Sequence, residues 1–214
     1  MMIFALAALV VTTAGSAHTA VTVQDGNILC DGKAITSGGA DDQPALSPDG
    51  HTVAFVRSLQ VDSGDDGPMD TAALWIGDCR TGSARQLLAP KPDNDVAERN
   101  LRQVNNPVFS LDGSHVYIMA TAWVTSDALH VVDAATGAEA YVIDGNTDSV
   151  IRTGPYRGDL LVEQHRYYRR GGSYNPTYVV TPAGKTVLKV PGPDSADSEM
   201  LATRWLAKHK WLAW

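Results

Sequence analysis

β-branched and aromatic residues recur at every second position over Val53 and Phe55, and again over Val116 and Ile118. A period of two is the mark of a strand with a buried face. Each run follows a turn sequence, Ser47-Pro48-Asp49-Gly50 in the first case and Ser110-Leu111-Asp112-Gly113 in the second. Pro presets φ at the second turn position, Asp can bond back to the turn amides, and Gly takes the position with φ > 0. The two segments, Pro44–Val56 and Pro107–Met119, lie 63 residues apart. A second pair, Ala73–Gly82 and Ala128–Gly137, lies 55 residues apart, and each member ends in Asp-x-x-Thr-Gly, a further hairpin signal. Two motifs in constant order with a variable spacer predict a repeated unit. Each unit reads as four antiparallel strands joined by a tight turn, a looser loop and a second tight turn.

A third unit is degenerate. Its strands fall near Val150–Tyr156, Asp159–His165, Thr177–Val180 and Thr186–Val190, with turns at Arg157-Gly158 and at Pro182–Lys185. The two ends each offer half a unit. Asn27–Thr36 reads as the last two strands, and Thr203–Trp214 as the first two. Pairing them would close a row of sheets into a ring and remove both exposed edges. The units are then 41–89, 104–144 and 149–190, with a shared fourth made of 20–36 and 198–214. The alternative for Glu199–Trp214 is an amphipathic helix, since Leu201, Trp205, Leu206, Trp211, Leu212 and Trp214 partly fit helical spacing.

Ser47-Pro48-Asp49-Gly50 followed by His51-Thr52-Val53-Ala54-Phe55 resembles the repeat of TolB-type β-propellers, a repeat also found in propeller domains of prolyl-oligopeptidase-type peptidases. The resemblance covers about 45–89 and 107–143 well and the third unit weakly. It implies an all-β fold, a small propeller of about four blades of four antiparallel strands, closed by the terminal hairpins. Propellers host many unrelated activities, so it implies no function. Cys30 and Cys79 would sit at the same turn of adjacent blades. Either they bond, or neighbouring strands hold them beyond the roughly 7 Å Cα separation that a disulfide tolerates.

Composition narrows the classes. Of 214 residues, 44% are hydrophobic and 19% charged, which excludes wholesale disorder. The net charge of −7 argues against nucleic acid as a partner. Residues 1–17 carry no charged side chain. They contain the apolar run Ile3–Val11 and end in Gly15-Ser16-Ala17, the pattern of a secretory signal peptide, although no Lys or Arg precedes the run. A periplasmic or secreted protein is expected, with no membrane span.

Candidate chemistry is sparse. There is no Gly-x-Ser-x-Gly elbow, no phosphate loop and no paired histidine spacing, and propeller peptidases carry their nucleophile on a separate domain. No catalytic residue, metal site or cofactor is assigned, and a non-enzymatic protein is expected. Asp49, Asp112, Asp78 and Asp133 recur once per unit and read as turn caps. His130 takes the place of Trp75 and reads as packed. The stretch Asp62–Asp70 is acidic but lacks the terminal bidentate Glu of a calcium loop, so it reads as a solvated loop.

Long connections at about 59–72, 90–104, 166–176 and 191–199 all fall on one face of the predicted ring, and the tight turns fall on the other. Elaborated loops on a rigid scaffold are where binding resides. Residues 41–70 hold seven Asp against one Arg, whereas Arg166–Pro176 is basic and aromatic. Arg166, Tyr167, Tyr168, Arg169, Arg170 and Tyr174 are therefore the candidate partner-binding residues, because Tyr and Arg carry much of the energy of interfaces. The expected function is a protein-binding module, monomeric or homodimeric. The alternatives are a carbohydrate or small-ligand binder or hydrolase using a central channel, and a propeller fragment completed by self-association.

Overall fold

A computed structural model describes residues 19–62, 67–190, 204–205 and 207–208. The signal-like segment 1–17 lies outside the described residues, as do residues 63–66 of the acidic stretch and most of the tail. The protein is all-β with almost no helix, and every strand pairing is antiparallel.

A three-stranded sheet opens the chain: β1 (Val21–Gln24), β2 (Asn27–Cys30) and β3 (Lys33–Ala34). Three four-stranded sheets follow. The first holds β4 (Asp41–Leu46), β5 (Thr52–Asp62), β6 (Pro68–Asp78) and β7 (Ser83–Leu88) in chain order. The second holds β8 (Val104–Phe109), β9 (His115–Ala120), β10 (Asp127–Asp133) and β11 (Glu139–Gly145), likewise in order. The third is built from β12 (Thr147–Val150), β13 (Leu160–Glu163), β16 (Thr177–Val180) and β17 (Thr186–Lys189). A small hairpin of β14 (Arg166–Tyr167) and β15 (Ser173–Tyr174) interrupts it.

The turns form as their residues dictate. Asp49 accepts the His51 amide at 3.0 Å, and Ser47 Oγ accepts the Thr52 amide at 2.9 Å. Asp112 and Ser110 repeat the arrangement with Ser114 and His115, both at 3.0 Å. Asp78 accepts the Arg80 and Thr81 amides, and Asp133 those of Ala135 and Thr136. The third residue of each inner strand repeats as well. Gln43 and Asn106 both precede Pro, both lie at a register shift, and both adopt left-handed backbone at φ 53° and 51°. The Asn106 amide donates to Gln43 Oε1 at 2.6 Å, tying one bulge to the next.

The sheets stack face to face, so their middle strands are buried on both sides. In β9, Val116 and Ile118 face the first sheet, with Leu74, Ile76 and Leu87, while Tyr117 and Met119 face the third, with Leu160, Val162 and Val180. A strand covered on both faces reads as a continuous apolar run. The head sheet packs on the first four-stranded sheet through Ile28, Ile35, Val53 and Phe55. Cys30 and Cys79 form a disulfide there, with Cα atoms 5.5 Å apart. It forms because the end of β2 and the residue after β6 lie across one packed seam.

The tail hairpin expected to close the ring, Thr203–Trp214, lies mostly outside the described residues; among the described residues the sheets are not closed, and the head sheet pairs with no C-terminal strand. The described tail residues, 204–205 and 207–208, are helical, and Trp205 packs against Ile151, Leu161, Val179 and Val190 of the third stack. Among the described residues that apolar face carries no fourth sheet, and Trp205 covers part of it. Residues 59–72 are also not a loop. The β5–β6 pairing runs without a break from Thr52↔Asp78 to Asp62↔Pro68, so the connection is a long hairpin arm.

Candidate partner-binding pocket

The connections of the long-loop face are bound to one another across the seams between sheets. At the first seam the Ala72 amide donates to Arg102 O at 3.0 Å, and Gln103 Nε2 to Asp70 O at 3.3 Å. At the second, Asn146 Nδ2 donates to Thr125 O at 3.0 Å, while its Oδ1 accepts the Asp127 amide at 3.0 Å. The loop after β7 is shaped by Asp93, which accepts the Val96 amide at 2.8 Å and so leads into a single 3-10 turn, Ala97–Arg99. Asn100 Nδ2 then ties this loop to Thr121 O at 3.0 Å.

Arg166 is the brace of the second seam. Its Nη1 donates to Asp144 Oδ2 at 2.7 Å and to His165 O at 3.0 Å, and its Nη2 donates to Gln164 Oε1. Buried Gln164 donates to Asp144 O at 2.9 Å and Oδ1 at 3.2 Å. The Asp144 carboxylate raises the Arg166 guanidinium above its ordinary value, so the pair is charged throughout the physiological range. The partner of Arg166 is thus Asp144 on the neighbouring sheet.

The six residues read from sequence divide. Tyr167 is two-thirds exposed and fixed at both ends: its ring sits edge-on to His165 at 4.9 Å, and its hydroxyl lies 3.1 Å from Thr125 Oγ1. Tyr168 and Tyr174 stack on each other at 4.6 Å, with Lys189 Nζ 5.9 Å from the Tyr174 ring, so they pack the hairpin. Arg169 and Arg170 are exposed at its tip, in the turn closed by the Gly171 amide on Tyr168 O at 3.1 Å.

Beside Tyr167 opens a cavity of about 360 Å³ that also involves residues the sequence did not single out: Glu98, Trp123, Tyr141, Asp144 and His165. Trp123 begins a turn in which its amide donates to Ser126 O at 2.8 Å, leaving Val124 fully exposed at the tip. Tyr141 points outward from β11 and lies edge-on to buried His130 at 5.8 Å. Burial, and then the carboxylates of Asp144 and Glu98, push the Tyr141 phenol up to about 12, so it stays neutral and able to donate. His130 is packed, with Nδ1 on Glu139 Oε1. No group of metal-ligating side chains occurs among the described residues.

Solved structures of related shape identify the fold. Porphyromonas gingivalis dipeptidyl peptidase 4 matches with 13% identity over 82% of this chain and 31% of its own, at a TM-score of 0.54. The tricorn protease matches with 14% identity over 85% of this chain and 17% of its own, at 0.58. A protein described as TolB from Agrobacterium tumefaciens matches with 12% identity over 76% of this chain and 55% of its own, at 0.49. The chain thus shares its fold with part of each of these two peptidases. The chain spans less than a third of the length of either peptidase. No family model and no curated protein matches the sequence.

These findings correct the expectation of a non-enzymatic protein, since the neighbours are mainly peptidases, each matched over part of its own length at low identity. The missing nucleophile elbow carried that expectation. It was uninformative, because the resemblance itself puts the nucleophile of such enzymes outside the propeller. No described helix is long and apolar enough to cross a membrane, and the disulfide is compatible with an oxidising compartment.

Proposed function

We propose that this chain is an exported propeller module that recognises a protein partner through its long-loop face. The observation that carries the reading is the convergence of Trp123, Tyr141 and Tyr167 on one cavity from three separate segments. Exposed aromatic rings are unfavourable in water and are retained where a partner covers them. These three are held in place before any partner arrives, by the Asn146 and Arg166 bridges and by the contact of Tyr167 with Thr125, which lowers the ordering cost of binding. The cavity is at the small end of ligand sites and suits a side chain of an extended segment better than a large cofactor. Arg169 and Arg170 at the hairpin tip extend the contact surface. Export remains part of the proposal, and the Cys30–Cys79 bond supports it.

Selection of displayed random peptides on the oxidised chain tests the reading. Wild type should enrich a peptide set that Trp123→Ala combined with Tyr167→Ala binds at least about tenfold more weakly, the loss typical of a buried aromatic anchor, with an unchanged circular dichroism spectrum. Enriched peptides that bind the double variant equally well, or no enrichment at all, would overturn it.

A further inference from the structure

We infer that the pocket between the second and third sheets takes a cationic side chain, a lysine or arginine of the partner. This rests on the long-loop face being the recognition surface. Its wall is aromatic and accessible: Trp123 is 37% exposed, Tyr141 40% and Tyr167 67%. An aromatic face attracts a cation through its quadrupole, more strongly when both are partly shielded from water. The two carboxylates at the cavity are not equivalent. Both oxygens of Asp144 are engaged, Oδ2 by Arg166 and Oδ1 by Gln164, so its charge is already compensated. Glu98, on the 3-10 turn beside β11, makes no ion pair or side-chain hydrogen bond among the described residues. One uncompensated negative charge therefore faces an aromatic wall.

That combination sorts occupants by charge. An apolar anchor would cover the rings but strip water from Glu98 and return nothing. An anionic anchor would meet like charge. A lysine or arginine satisfies both features at once, with its apolar stem along the rings and its head at the carboxylate. The net charge of −7 favours approach of a basic segment.

The test follows the Trp123 indole N–H by heteronuclear NMR in the oxidised full chain. The titrants are Nα-acetyl-lysine amide and its uncharged analogue, Nα-acetyl-norleucine amide. Lysine amide should shift the Trp123 resonance saturably, and norleucine amide should need at least tenfold more. Glu98→Gln should weaken lysine amide at least tenfold while leaving the melting temperature unchanged. Equal binding of the two amides, or an unaffected Glu98→Gln variant, would overturn the inference and leave the recognition face standing. If neither amide perturbs Trp123 while displayed peptides still bind through Trp123 and Tyr167, the cationic assignment alone falls. If no peptide binds either, both readings fall.

Discussion

At the scale of single residues, two kinds of aspartate hold this protein together by different physics. Asp41 is 2% exposed, and its carboxylate takes both Arg57 Nε and, at 2.8 Å, Arg57 Nη2, while the guanidinium lies 4.0 Å over the Trp75 ring. Removing one partner of such a pair strands the other, so Asp41→Asn should cost about 2–3 kcal/mol in urea unfolding, discounted for the partial exposure of Arg57. Replacing both partners with apolar residues, Asp41→Leu with Arg57→Met, should recover part of that loss. The turn aspartates are exposed (Asp49, Asp112) or half-buried (Asp78, Asp133) and act through protonation. Amide and hydroxyl donors hold Asp49, Asp78, Asp112 and Asp133 below the ordinary carboxylate range, led by Ser47, Thr81, Ser110 and Thr136 respectively. A carboxyl whose folded pKa is depressed stabilises above its unfolded value and loses that effect as pH falls through the folded one. Asp127 and Asp159, raised by burial, act in the opposite sense and offset part of this. The melting temperature should therefore hold steady from neutral pH down and fall below about pH 4. Asp112→Asn combined with Asp133→Asn should flatten that fall; an unchanged acid limb would mean that other carboxyls govern it.

At the scale of elements, the tight turns were legible because their chemistry is local. Ser, Asp and Gly at fixed offsets specify the bend before any tertiary contact exists. Elements that depend on a distant surface were not legible. The apolar spacing of Trp205 and its neighbours fits two geometries, and where Trp205 packs depends on a distant cluster, Ile151, Leu161 and Val179, that local spacing cannot show. The pocket divides in the same way. Tyr167 stands in a conspicuous Arg–Tyr stretch, but Glu98, Trp123 and Tyr141 are isolated in sequence, on the β7–β8 connection, the β9–β10 connection and β11, and are brought to one place by the fold of the second sheet and the connection that enters it. Stacking also gives equivalent glycines unequal duties. Gly82 and Gly137 close corresponding turns at φ 74° and 77°. A Cβ on Gly82 would meet open space, whereas one on Gly137 would lie 2.3 Å from Leu87 O of the preceding sheet. Gly82→Ala should cost about 1 kcal/mol from the left-handed backbone alone. Gly137→Ala should cost at least about 1–2 kcal/mol more, because backbone must move. Equal losses in chemical denaturation would show that the sheet-to-sheet approach is looser than this.

At the scale of the whole molecule, an open row of stacked sheets differs from a closed ring in how stability is shared. Among the described residues the packed seams join neighbouring sheets, so stability is close to a sum of sheets and seams, and an end sheet is a weak point. The head sheet is the clearer case. It has three short strands, and its seam rests on Ile28, Ile35, Val53 and Phe55 together with the Cys30–Cys79 bond, which joins residues 49 apart in sequence. Cross-linking a loop of that length contributes about 2–4 kcal/mol. Against so small a local core this should be most of what keeps the head docked. Cys30→Ser with Cys79→Ser is therefore expected to release the head without melting the stack. In hydrogen exchange, the amides of β2 should lose most of their protection, while those of β9 and β10, buried on both faces, should keep theirs. The long-loop pocket lies two seams away, so peptide binding to Trp123 and Tyr167 should survive the change. A uniform loss of protection from β2 through β10 would instead mean that the sheets unfold as one unit, and an open row would then behave as cooperatively as a ring.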